Sequence, residues 1–347
     1  MQKRLLFFVL YAVFILALFL SACQPAPGVQ TGSQLEPLTE PVKLKIAVLP
    51  FISFAPYFIA QEEGFFEERG LEVEFVNLVT QQDSIAALLS EEVEITAGLM
   101  TAGLLNAIAR GANIRFVADK GFIDPEGCDN IAMIASKKLV AEGQAVDAGL
   151  LQGGVISVVT GSWNEYYADK LLGSIGLSTS DFENNNVPSP AQLEALDQGT
   201  VGVTVNNEPW VTRFKNAGHP EILGTVTEAL PESQSAIMIY GPGLLEENVD
   251  AGNRFMVAYM QAVQQYNQGS TDRNIEILVK HMQLEPDVLK NMCWPTIRAN
   301  GSMNEESILD FQNWAVQKGL AEESLPIEEL IDTRFVDFAT QFLGIKD

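Results

Sequence analysis

From Leu44 to Tyr240, short apolar runs alternate with stretches whose apolar residues recur at helical spacing. βαβ units need that alternation: a strand buried on both faces, then an amphipathic helix that returns the chain for the next parallel strand. "LKIAVLPF", "LEVEFV", "VEITAGL" and "IRFVA" read as the strands of a first series. Ser53 is placed to cap a helix through Phe58, Ile59 and Phe65/Phe66, with Pro56 in its first turn. Asp83 is placed to cap "SIAALLS", where Ile85, Leu88 and Leu89 share a face, and Thr101 to cap "AGLLNAIAR", which stops at Gly111.

The pattern restarts after a crossing. "NIAMIAS" is a strand, and an irregular passage from Lys137 to Gly149 follows it. "GVISVVT" leads into a helix from Asn164 to Ile175 that ends at Gly176. Ser189 is placed to cap "PAQLEALDQ"; "VGVTV" and a helix after Pro209 come next. "SAIMIYG" reads as a strand that returns to the first series. Beyond Asn253 the pattern is nearly all helical, as expected of helices covering a sheet already formed. The expected fold class is therefore α/β with two lobes, the second inserted into the first. The expected boundaries are 42–133 plus 237–347 for lobe 1 and 134–236 for lobe 2. A chain of 347 residues is long enough to give both a core.

The N-terminus reads differently. Lys3 and Arg4 precede an uninterrupted apolar run, Leu5 to Leu20. The run falls short of the roughly 20 residues of a membrane-spanning helix and suits a signal peptide. Leu20-Ser21-Ala22-Cys23 looks like a bacterial lipobox. The expectation is a signal peptide over 1–22, lipid on Cys23, and a Pro/Gly/Gln-rich tether over 23–41 that holds the protein at the outer face of a cell membrane. Cys128 and Cys293 remain, and spacing alone does not show whether they pair.

Lys+Arg 21 against Asp+Glu 45 gives a formal charge of −24. So acidic a chain is unsuited to nucleic acid or to an anionic membrane surface, which need basic patches. With no CxxC and only His219 and His281, no metal site and no cofactor are expected. His219 lies in a turn and reads as exposed; His281 reads as structural. Gly161-Ser162 lacks the frame of a nucleophile elbow and "GPG" is a turn, so no catalytic residues are assigned.

Ligands of open α/β sheets bind beyond the carboxyl ends of strands, beside helix N-termini. The turns at those positions are rich in aromatics and in neutral or acidic polar groups, and Lys120 is their only cation. The ligand-binding candidates are Ser53, Phe54, Tyr57, Asp83, Thr101, Asp119, Ser162, Trp163, Tyr166, Asn206, Glu208 and Trp210. Rings above and below a flat ligand, with amides and carboxylates at its edge, suit a heteroaromatic molecule. Each ring has an alternative in the core. Tyr57 and Phe58 can pack under the sheet, and because adjacent helix residues do not face each other, one of Tyr166 and Tyr167 could be core.

Three stretches carry a family resemblance. P-x-x-x-A-x-x-x-G-F-F followed by R-G-L-E-V-E runs from Pro56 to Glu74; "AALLSEEVEITAGL" and "LDQGTVGVTVNNEPW" follow. They resemble the solute-binding proteins of ABC importers for nitrate, sulfonates, taurine and thiamine-pyrimidine precursors. Glu91 and Glu94 depart from the Gly and Asp usual in the second stretch. The resemblance implies a type II periplasmic-binding fold with ligand in the cleft between two lobes, and permease and ATPase subunits as partners. Members bind varied ligands, riboflavin among them in some lipoprotein branches. Riboflavin is the first expectation and a thiamine pyrimidine precursor the second; sulfonates, taurine or nitrate are the alternative. An extracytoplasmic enzyme, as in the pyrimidine synthases that resemble this family, or a sensor subunit, are the other classes.

Overall fold

The computed structural model describes residues 35–346. The signal peptide, Cys23 and most of the tether lie outside the described residues. Among those described, no helix is long and apolar enough to cross a membrane.

The first sheet has the order β2-β1-β3-β9-β4, built from Val42–Val48 (β1), Leu71–Asn77 (β2), Ile95–Leu99 (β3), Arg115–Phe122 (β4) and Gln234–Tyr240 (β9). The second has the order β5-β8-β6-β7, from Ile131–Ala135 (β5), Val155–Ser157 (β6), Glu183–Asn184 (β7) and Val203–Asn207 (β8). The purely parallel expectation needs correction. β9 runs antiparallel to both β3 and β4, and β5 antiparallel to β8. These two strands are the ones that follow or precede a passage between lobes, where no crossover helix sets the direction.

Sheet membership also moves the boundary. β5 lies wholly in the second sheet and β9 wholly in the first, so the passages between lobes run over 123–130 and 230–233. The expected cuts at 133/134 and 236/237 fall inside strands.

Side chains alternate along each strand, and that alternation builds three cores. Leu44, Ile46 and Val48 of β1 and Met238 and Tyr240 of β9 face the helices Ala55–Glu62 and Val249–Tyr266. Ala47, Ile237 and Ile239 face the other way. There they join Ile131, Met133 and Ala135 of β5, so a single apolar core continues from one sheet to the other. Ala132 and Ile134 turn to the far side of the second sheet, against Trp210 and Phe214. Cys128 and Cys293 form a disulfide with Cα atoms 5.7 Å apart, tying the first passage between lobes to the loop after the helix Pro286–Asn291.

Several caps differ from expectation. Thr80 caps the helix Gln81–Leu89, accepting the Asp83 amide, and Asp83 sits inside the first turn. Ser53 lies in a single 3₁₀ turn, and Pro188 rather than Ser189 precedes the helix Ser189–Gln198. In both helices a proline, Pro56 or Pro190, occupies the first turn, where its missing N–H costs no hydrogen bond. Thr101 does cap Ala102–Ala109, through the Leu104 amide.

Candidate functional site

Besides the packing of Tyr166 and Asp169 on Phe311, Trp314 and Lys318, the lobes meet through main-chain groups at two places. At one, Trp210 Nε1 donates to the Pro50 carbonyl (3.2 Å) and the Ile52 amide donates to the Glu208 carbonyl (3.2 Å). At the other, the Ala102 amide donates to the Gly161 carbonyl (2.7 Å) and the Trp163 amide to the Met100 carbonyl (3.0 Å). A cavity of about 970 Å³, open mouth included, lies at the interface of the two lobes. Lobe 1 contributes Phe51–Phe54, Val79–Gln82, Gly98, Leu99, Lys120, Gly121, Ser235 and Ala236. Lobe 2 contributes Val158, Val159, Asn164, Asn186–Ser189, Gln192 and Val205–Glu208.

Lys120 is the charged feature of the lobe 1 wall. It is fully buried, and its Nζ donates to Ser53 Oγ at 2.7 Å while lying 3.4 Å from the Phe54 ring centroid. No carboxylate lies within ion-pair distance of it among the described residues. Desolvation pushes the ammonium well below the usual lysine value, against the opposing pull of Asp119. Asp119 itself turns from the cavity. Its carboxylate accepts the Arg298 amide (2.6 Å), the Gly121 amide (2.8 Å) and Gln234 Nε2 (2.6 Å). Burial still raises its pKa.

On lobe 2, Asn206 is held by Ser189, Gln192 and the Asn207 amide. Glu208 accepts the Thr212 amide (3.0 Å), Thr212 Oγ1 (2.8 Å) and, more weakly, the Cys293 amide (3.4 Å). Burial raises its pKa, and those donors oppose the rise. Asn164 gives its Nδ2 to Asn207 Oδ1 (2.9 Å) and the Val205 carbonyl (3.4 Å), leaving Oδ1 buried without a partner. Both partners are acceptors, which fixes the orientation of that amide. Gln81 Nε2 on lobe 1 is likewise buried without a partner. It lies over Gly98, where a Cβ would come within 1.9 Å of Gln81 Oε1. Glycine is needed there for so close an approach, and its φ is +149°.

Of the twelve candidates, Ser53, Phe54, Asn206 and Glu208 line the cavity. Tyr57, Asp83, Thr101, Asp119, Ser162, Trp163, Tyr166 and Trp210 do not. Ser162 caps the helix Trp163–Gly173. Trp163 is fully buried, stacked on Tyr167 at 5.9 Å; Tyr166 meets Phe311 and Trp314, and its hydroxyl donates to Asp310. Tyr57 packs among Phe54, Phe255 and Tyr259. The rings expected to sandwich a ligand are therefore mainly core, and only Phe51 and Phe54 reach the cavity wall. The cause is geometric. Tyr166 of the helix Trp163–Gly173 packs on Phe311 and Trp314 of the helix Glu305–Gln317, Trp163 packs on Tyr166 and Tyr167, and of the first turn Asn164 is the residue that reaches the cavity.

Lys120, Gln81 and Gln192 were not among the twelve. Lys120 had a legible signal, the only cation among the strand-end turns, in the strand "RFVADKGF" beside Asp119. Gln81 and Gln192 had none, because an amide near a helix start reads as surface. His219, expected in solvent, is buried, with Nδ1 accepting the Lys137 amide (3.1 Å); desolvation lowers its pKa. His281 holds Glu62 and stacks on Phe58.

The nitrate-binding protein NrtA from Synechocystis PCC 6803 is similar in structure, with TM-score 0.75 and 14% identity over 88% of this chain and 90% of that one. The ligand-binding component of an ABC-type import system from Staphylococcus aureus has TM-score 0.71 and 13% identity over 86% and 99%. The alkanesulfonate-binding protein SsuA from Xanthomonas axonopodis pv. citri, bound to MOPS, has TM-score 0.68 and 16% identity over 85% and 100%. At these identities the likeness is one of fold, the periplasmic-binding fold. No curated protein sequence matches. The model of the NMT1-like family matches residues 38–280, more than half of the chain. The chain belongs to the NMT1-like family.

Proposed function

We propose that the chain is the solute-capturing component of an ABC importer, held at the outer face of a cell membrane by lipid on Cys23 and delivering its solute to permease and ATPase subunits. The observation that carries this reading is the cavity itself. It is walled by the strand-end turns of both lobes, so a solute seated there bridges them and biases their closure. The solved proteins named for nitrate and alkanesulfonate binding have this fold and support the reading.

The ligand class that the wall favours is anionic, because a buried ammonium without a carboxylate needs a counter-charge. Sulfonates, taurine and nitrate belong to that class. Riboflavin or a thiamine pyrimidine precursor is the second reading, favoured by Phe51 and Phe54 on the wall. Titration of the full chain in detergent, followed by tryptophan fluorescence and thermal shift, tests these arms together. A ligand at a hundredfold excess over Kd adds about 2.7 kcal/mol of apparent stability. The solute should be recovered chemically unchanged; turnover would sink the binding-only reading. Cys23→Ser should move the protein from the membrane fraction to the soluble fraction.

A further inference from the structure

We propose that the Cys128–Cys293 disulfide is a redox-sensitive lock on the hinge between the lobes, opened by a dithiol such as that of a thiol–disulfide oxidoreductase, and that its reduction frees the cleft to open. This rests on the solute-capture reading and adds a control over when the site opens.

The first passage between the lobes is clamped at both ends. At its start, Asp124 Oδ2 accepts Thr296 Oγ1 (3.1 Å) and the Phe122 amide donates to the Thr296 carbonyl (3.2 Å), both within lobe 1. At its end, Asp129 Oδ1 accepts Thr227 Oγ1 (2.6 Å) and the Thr227 amide (3.1 Å) of lobe 2. Residues 125–128 lie between the clamps, and all are exposed. Among the described residues, their hydrogen bonds go only back to Asp124, from the Glu126 amide (3.0 Å) and the Gly127 amide (3.0 Å). A segment held so lightly is where φ and ψ can change when lobes rotate.

The disulfide removes that freedom. Cys293 belongs to the lobe 1 loop 292–298, which is itself fixed: Tyr266 Oη donates to the Pro295 carbonyl (2.9 Å) and Asn267 Nδ2 to the Ile297 carbonyl (2.7 Å). Bonding Cys128 to this loop carries the lobe 1 anchor forward from Asp124 to the residue beside Asp129, the lobe 2 anchor. The same loop reaches the cavity. Pro295 stands on its wall, and the Cys293 amide donates to Glu208 Oε1 (3.4 Å) across the interface. One covalent bond therefore holds both the hinge and a piece of the wall.

Cys128 is exposed and Cys293 half-buried, so Cys128 is the side an incoming thiolate meets. Attack on its sulfur breaks the S–S bond, forms a mixed disulfide and releases Cys293 as a thiol. The second thiol of the reductant attacks the mixed disulfide, releases Cys128 as a thiol, and the reductant leaves as a disulfide. Two electrons and two protons pass to the protein, and a disulfide donor reverses the exchange.

The test uses the full chain in detergent, with dithiothreitol as the reductant. Without denaturant, reduction should open Cys128 and Cys293 to iodoacetamide, read by peptide mass. Hydrogen exchange then reports on the cleft. The amides of Ile52, Ala102 and Trp163 donate across the interface and should exchange about tenfold faster in the reduced chain. Those of β1, whose neighbours are β2 and β3, should stay protected over the same minutes. Cys128→Ser combined with Cys293→Ser should match the reduced chain, and reoxidation of the native chain should restore the slower rates. No alkylation without denaturant would overturn the proposal. So would unchanged exchange at the interface amides, or protection lost through β1 and β5 alike, which would make the bond a support of the whole fold. None of these readouts needs a bound solute. Failure of every solute in the titration would strike the solute-capture reading and leave the hinge result standing.

Discussion

Lys120 has no counterpart elsewhere on the cavity wall, and its burial has a consequence independent of any ligand. A lysine whose native pKa lies below its unfolded value of about 10.5 binds fewer protons in the folded state over that interval. Stability should therefore rise with pH through the interval, from the lowered native pKa upward. The charge that acts on it is Asp119, on the same strand and pulling the other way. Urea unfolding at a series of pH values below about 10, where tyrosines of the unfolded chain begin to ionise, reads the slope. Lys120→Met should flatten it. An unchanged slope in that variant would show that another group carries the dependence. The strand pattern was legible at this scale, and so was the cation within it. What period-two reading could not tell is which face of β4 opens on a cavity, since both faces are buried.

The helix Trp163–Gly173 shows why an element can be read correctly and its role misplaced. Its cap, Ser162, accepts the Glu165 amide (3.3 Å), and Gly161 takes the positive φ (+71°) that the entry turn needs. All of that is written locally. Where the rings go is decided by the helix Glu305–Gln317, more than a hundred residues later, through Phe311 and Trp314. Asp169, on the same helix, accepts Trp314 Nε1 (2.9 Å) and pairs with Lys318 (2.8 Å). Trp163→Ala should then act as a core truncation and destabilise by about 3–5 kcal/mol, with cavity formation included. The folded fraction should keep its affinity for whichever solute binds in the titration. A tenfold loss of affinity with little loss of stability would return Trp163 to the binding site. The direction of β5 and β9 was illegible for a similar reason: alternation looks the same in parallel and antiparallel strands, and pairing is set by distant partners. Ser53, Phe54, Asn206 and Glu208 were legible because strand ends point to the cleft whatever the neighbouring helices do.

At the scale of the whole molecule, the lobes are held by the shared apolar core, by the hydrogen bonds of Ile52, Ala102, Trp163 and Trp210 across the interface, and by Tyr166 and Asp169 against Phe311, Trp314 and Lys318, while the Cys128–Cys293 disulfide pins the first passage between them. The disulfide closes a separation of 165 residues. Replacing both cysteines by serine should cost about 2–5 kcal/mol in unfolding. The overall charge of −24 acts on a different quantity, the rate at which an anion arrives. Far from the cavity an approaching anion meets a repulsive field, whereas its final attraction comes from a buried ammonium that salt screens little. The Debye length falls from about 30 Å at 0.01 M salt to about 10 Å at 0.1 M. The association rate of an anionic solute, such as a sulfonate, should therefore rise with salt over that range, while its dissociation rate stays nearly constant. A neutral solute, such as riboflavin, should show a flat profile. Stopped-flow tryptophan fluorescence can follow both, because Trp210 bridges the lobes beside the cavity. An association rate that falls with salt would mean that exposed basic residues steer the ligand. The solute would then be read at the mouth of the cleft before it reaches Lys120.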